Sequence, residues 1–148
     1  MSSSTELGHA LNYELNFFAN HDYHSNIKYI KWLVDLGADL EVRDEYGDTP
    51  LTCEHRSGSR SRQQVLSILL TAGADANCRS NKPRMITPLM YARRKVTYIQ
   101  LIEAGADVQL MTVDIPGENA IHFFHIRLKN PHSKIEDTFI LDILLNSF

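Results

Sequence analysis

Histidine and cysteine have the widest chemical reach of the side chains in this sequence, and the chain carries seven of the first and two of the second. His21 with His24, and His122 with His125, stand three apart, a spacing that puts two imidazoles on one face of a helix. A catalytic zinc needs three protein ligands, and neither pair has a third or lies in an H-E-x-x-H motif. Cys53 and His55, with Glu54 between them, could be drawn as a nucleophile and its base. Side chains two apart on a helix point about 200° away from one another, so thiolate and imidazole would not meet. Cys53 reads better as a small core residue. No glycine motif for a phosphate, a dinucleotide or a nucleophilic serine occurs. The expectation is a protein that is not an enzyme and uses no cofactor, no metal and no small-molecule substrate.

Charge is more telling than catalysis. The total of 148 residues has a formal net charge of −3, yet the window from His55 to Gln100 holds nine basic residues (Arg56, Arg60, Arg62, Arg79, Lys82, Arg84, Arg93, Arg94, Lys95) and one acid, Asp75. That window carries +8, and the six basic and 17 acidic residues outside it leave −11. A basic middle between acidic ends implies an acidic partner. No run approaches the roughly 18 apolar residues of a membrane helix, and Met1 to Glu6 has neither the basic nor the apolar region of a secretory leader. Ser2 in place of glycine, and an end at Leu145-Asn146-Ser147-Phe148, leave the usual lipid anchors without an acceptor. Two cysteines are too few for a disulfide scaffold, which fits a cytoplasmic or nuclear protein that avoids membranes.

The elements that position these charges recur along the chain. Gly-Ala-Asp occurs at 37–39, 73–75 and 105–107, at intervals of 36 and 32, each time after an apolar helical stretch. Thr49-Pro50-Leu51, Thr87-Pro88-Leu89 and the degenerate Asn119-Ala120-Ile121-His122 follow those glycines by 12, 14 and 14 residues. Proline suits the first turn of a helix, with Thr49 and Thr87 as N-caps, and glycine suits the left-handed residue that closes one. With that period and the T-P-L landmark, nearly the whole chain resembles the ankyrin-repeat family, whose repeat is about 33 residues long. The irregular spacing looks like the viral and other rapidly diverging members.

The resemblance implies an all-α ankyrin-repeat solenoid, helix–turn–helix units joined by β-hairpin loops, in one domain spanning 1–148. Its units are about 5–39, 40–75, 76–107 and 108–148. Unit one places Leu7, Leu11, Leu15 and Phe18 on one helical face and Ile27, Ile30, Leu33 and Val34 on the next. Unit two has a long turn, Arg56 to Arg62, whose serines could be phosphorylated but which reads better as a solvated loop. Unit three runs from Tyr91-Ala92-Arg93-Arg94 almost directly into its second helix. Residues 69–77 also resemble the asparagine-hydroxylation context found in many ankyrin repeats, with Asn77 as acceptor.

The family holds protein partners on a concave face of hairpin tips and first helices. Carried over, that face comprises Arg43, Tyr46, Arg56, Arg79, Lys82, Arg84, Met85, Arg94, Lys95 and Ile115, with His55 and Arg56, Arg94 and Lys95, and Ile126 and Arg127 at the exposed ends of first helices. Tyr46, Met85, Met111, Val113 and Ile115 would be apolar anchors within a polar rim. The function implied is a protein–protein interaction module that binds, and by occupancy inhibits, a partner with an acidic segment. The alternatives are an activating or regulatory subunit of an enzyme complex, or the N-terminal interaction domain of a longer protein. Nucleic acid is disfavoured, because the basic window lacks interleaved aromatics.

Overall fold

A computed structural model of the chain describes residues 2–18, 27–54, 61–81, 85–112, 117–128, 142 and 145–146. Among the described residues the helices follow in order: α1 Ser3–Phe18, α2 Ile27–Asp35, α3 Pro50–Glu54, α4 Ser61–Thr71, α5 Pro88–Tyr91, α6 Lys95–Glu103 and α7 Ala120–Leu128. Among the described residues no strand forms, so the expected β-hairpins are turn loops without a β-ladder.

Three helices end in one way, and the Gly-Ala-Asp tripeptide is the reason. Gly37, Gly73 and Gly105 have φ of +86°, +95° and +88°, where a side chain is disfavoured. Their amides donate to Val34, Leu70 and Ile102 at 2.9 to 3.1 Å. The amides of Ala38, Ala74 and Ala106 reach one residue further back, to the carbonyls of Leu33, Leu69 and Leu101. These paired bonds form the glycine-closed cap that satisfies the last orphan carbonyls of a helix. The same three leucines are fully buried, so each fixes the end of its helix and anchors it in the core. The aspartate after each glycine then accepts from the amide two residues on, Asp39 from Glu41, Asp75 from Asn77 and Asp107 from Gln109. Such turns lead the chain away from the helix.

Packing is between neighbours. α1 lies against α2 and α3, α2 and α3 against α4, α4 and α5 against α6, and α5 against α7. Leu11, Leu15, Ile30, Leu51, Leu89 and Met90 join the three leucines in one continuous core. Tyr98 of α6 meets Phe124 of α7 edge-on, with ring centroids 5.7 Å apart. Leu11, Leu15, Ile30 and Leu33 are buried and Leu7, Ile27 and Val34 partly so, as the pattern in unit one requires; the Phe18 side chain lies outside the described residues. Gly8 lets α1 approach the chain closely, because a Cβ there would stand 2.5 Å from the Asp39 carbonyl oxygen and 2.6 Å from Val42 Cγ1.

The expected threonine caps differ from one another. The Thr52 amide donates to Thr49 Oγ1 at 3.4 Å, and the Thr49 amide donates to Thr52 Oγ1 at 2.8 Å, a reciprocal cap. Thr87 occupies the cap of α5 but makes no side-chain cap bond. In the degenerate copy Asn119 takes over, its Oδ1 accepting from the His122 amide at 3.1 Å.

Candidate functional site

Each loop leaving a glycine cap is closed at its base by a backbone bond. The amide of Asp44 donates to the carbonyl of Asp48 at 3.0 Å, Ser80 to Ile86 at 3.0 Å and Thr112 to Glu118 at 2.8 Å. The first loop is thus two residues shorter than the others, which accounts for intervals of 12, 14 and 14 in the sequence. Ahead of each base stands Arg43, Arg79 or Met111. Arg43 Nη1 donates to the carbonyls of Gly47 and Arg79, at 2.5 and 2.9 Å. Arg79 Nη1 donates to those of Met85 and Met111, at 3.1 and 2.9 Å. Each arginine therefore ties its own loop shut and fastens it to the next. It does so through one nitrogen of a five-donor fork.

A second row of bonds runs alongside. Glu41 Oε1 accepts from the Asp75 amide at 2.8 Å, and Asn77 Oδ1 accepts from the Asp107 amide at 2.7 Å. Asn77 Nδ2 also donates to the Gly105 carbonyl at 3.0 Å, so both ends of the amide named as a hydroxylation acceptor are engaged. Burial pushes the Glu41 carboxyl above the ordinary range, the Asp75 amide bond pulls it back, and the neighbouring Asp75 and Asp39 charges push it up again.

At the base of the first loop Asp44 is a hub. Its carboxylate accepts from Asn16 Nδ2 at 2.8 Å, from the Tyr46 and Asp48 amides at 2.9 and 2.8 Å, and from Cys53 Sγ at 3.3 Å. Burial opposes ionisation of Asp44, but these bonds outweigh it and hold the carboxyl below its ordinary range. Cys53 is accordingly a buried hydrogen-bonded thiol. Cys78 is buried too, and desolvation pushes its thiol up to about 12, above the range of a reactive cysteine.

Tyr46 and Met111 remain 51% and 53% exposed beside the arginine row. Met85 is half-buried and has φ of +50°, the one positive value on a non-glycine residue among those described. Gly47 and Gly117 hold the matching place in the other two loops, each one residue before the closing carbonyl, at +77° and +95°. A methionine there carries backbone strain that its glycine counterparts do not.

Of the residues expected on the partner face, Arg43, Tyr46, Arg79 and Met85 stand together at these loops. Arg94 and Lys95 do not lie on a first helix as expected. α5 ends at Tyr91 after a single turn, so Arg94 is the cap residue of α6 and Lys95 its first residue. His55, Arg56, Lys82, Arg84, Val113, Ile115 and the side chains of Ile126 and Arg127 lie outside the described residues, as do His21, His24 and the His125 side chain. Counting charge missed the double role of Arg43 and Arg79. The signal was their common offset of six residues from Gly37 and Gly73. Among the described residues no group of three His, Cys, Asp or Glu could hold a metal, and no helix is long and apolar enough to cross a membrane. Neither a protein-family model nor a curated protein matches the chain.

Proposed function

We propose that the chain is an ankyrin-repeat interaction module that uses the loop face around Tyr46, Met85 and Met111 to bind, and by occupancy inhibit, a protein partner carrying an acidic segment. It catalyses no reaction in this reading, and it works in the cytoplasm or nucleus. The observation that carries the reading is the strained Met85, flanked by exposed Tyr46 and Met111 over the paired arginines. Strain kept at one loop of three, where glycine would relieve it, is the mark of a residue retained for what it touches. Recurrence of glycine cap, aspartate turn, arginine and closed loop supports the repeat assignment.

Tyrosine and methionine supply contact area, and the basic window supplies attraction for an acidic segment. The test is affinity purification with the tagged full chain, comparing wild type with the Tyr46→Ala, Met111→Ala double variant. Neither side chain is buried, so the fold is retained and the co-purifying partner is expected to disappear. Recovery of the same partner at the same yield would refute this face. With the partner identified, the association rate should fall steeply from low to moderate salt while dissociation changes much less.

A further inference from the structure

The outward face of α2, carried one residue past its end by the bond from the Leu36 amide to the Trp32 carbonyl at 3.0 Å, bears an apolar stripe. Trp32 is 53% exposed, Leu36 51% and Tyr29 40%, and the Tyr29 and Trp32 rings already stack at 5.6 Å with an interplanar angle of 21°. On a helix turning about 100° per residue, Tyr29 and Leu36 lie roughly 60° and 40° to one side of Trp32. Lys28 and Asp35 lie roughly 40° and 60° to the other. Lys31 reaches Asp35 at 2.8 Å, and Lys28 has no ion-pair partner among the described residues.

From this arrangement we infer that α2 is the interface of a homodimer, in which two copies of the helix pack antiparallel about a twofold axis at Trp32. Such an axis keeps each flank facing its own equivalent and sets each residue against the one equally far on the other side of Trp32. Trp32 then meets the Trp32 of the second copy. Tyr29, three before it, falls beside Leu36, four after it. On the other flank Lys28, four before, falls beside Asp35, three after. Three pairings of different chemistry share one axis, and both Lys28–Asp35 pairs form at once. A foreign partner or a lipid surface requires no such self-match. Because the aromatic pair is already stacked, little side-chain freedom is lost on association. A face nine residues long is smaller than the roughly 800 Å² per partner of a standard interface, so the dimer is a weak one. This interface is separate from the loop face and does not depend on the function proposed above.

Sedimentation velocity of the full chain from about 10 µM to about 1 mM, with the emission of Trp32, the sole tryptophan, as a second readout, tests the inference. Wild type should dimerise with a blue shift. Lys28→Asp alone and Asp35→Lys alone each set like charges opposite one another twice, and association should weaken roughly tenfold; Asp35→Lys also breaks the exposed Lys31 pair, which lowers the thermal midpoint of unfolding only slightly. An equimolar mixture of the two variants restores both opposite-charge pairs, and dimerisation should return. A wild type monomeric throughout, variants that associate as wild type does, or a mixture that fails to recover would each overturn the proposal. So would a monomer that instead binds phosphatidylserine vesicles through Trp32, which would assign the stripe to a lipid surface.

Discussion

The guanidinium of Arg43 donates to the main-chain carbonyl of Arg79, 36 residues later, at 2.9 Å. Arg79 repeats the same reach toward Met111, 32 residues on. Because the first arginine grips the backbone of the second and not its side chain, the two bridges are energetically separable. Arg43→Ala and Arg79→Ala should each lower the unfolding free energy by about 1–2 kcal/mol, and the double variant should show the sum to within about 0.5 kcal/mol. Urea unfolding of the four proteins checks this.

Met85→Gly should move stability and binding in opposite directions. Relief of the left-handed strain is of order 1–2 kcal/mol, offset by roughly 0.5–1 kcal/mol for the greater freedom of glycine in the unfolded chain. The midpoint of unfolding should rise slightly while the partner dissociates faster. A binding loss accompanied by a stability loss would mean that Met85 serves the fold alone.

Glu41 and Asp44 should give opposite pH responses. With its folded-state pKa raised, Glu41 contributes fully below its ordinary value of 4.5, and that contribution is lost as pH rises through the folded value. Asp44 is depressed, so its contribution is present above 3.8 and is lost as pH falls. Glu41→Gln keeps the acceptor for the Asp75 amide without the charge, as Asn77 does one unit later. It should raise the thermal midpoint at pH 7 and leave it unchanged near pH 3. Asp44→Asn should lower the midpoint at pH 7 and flatten the acid limb. Melting curves across that range read both.

Cys78 should report on opening of the structure. A buried thiol whose pKa is pushed up to about 12 carries negligible thiolate at pH 8. Iodoacetamide should modify it only as fast as the native state opens, and Thr49→Val, which removes the hydroxyl 3.3 Å from the sulfur, should accelerate that reaction.

The glycine landmarks were legible because one backbone conformation demands one residue type: Gly37, Gly73 and Gly105 each close a helix. The difference in loop length is carried by the unequal offsets to the T-P-L landmark, 12 residues against 14, which become readable only once the closing bonds are seen. The short α5 was half legible. Unit three is abbreviated as expected, but its compression moves Arg94 and Lys95 onto α6. Met85 left no local trace, since nothing in its immediate neighbours requires a positive φ. Only alignment with Gly47 and Gly117 shows a methionine in a glycine position. The roles of Glu41, Asn77 and the two arginines were hidden for another reason, because side chains that look alike by charge are sorted only by which carbonyl or amide comes within 3 Å.

The bonds between successive units leave at fixed offsets from each glycine, at the shoulder and base of the loop. Between the closing pair and the arginine bond lie only Glu45 and Tyr46 in the first loop, against residues 81–84 in the second, and the row stays in step across that difference. Loop length is thus decoupled from alignment of the arginine row. Closing a longer loop costs only about 0.6 kcal/mol per doubling. A foreign peptide spliced between Asp44 and Gly47 should be carried as passive cargo, which makes this small protein a scaffold onto which a new specificity can be written.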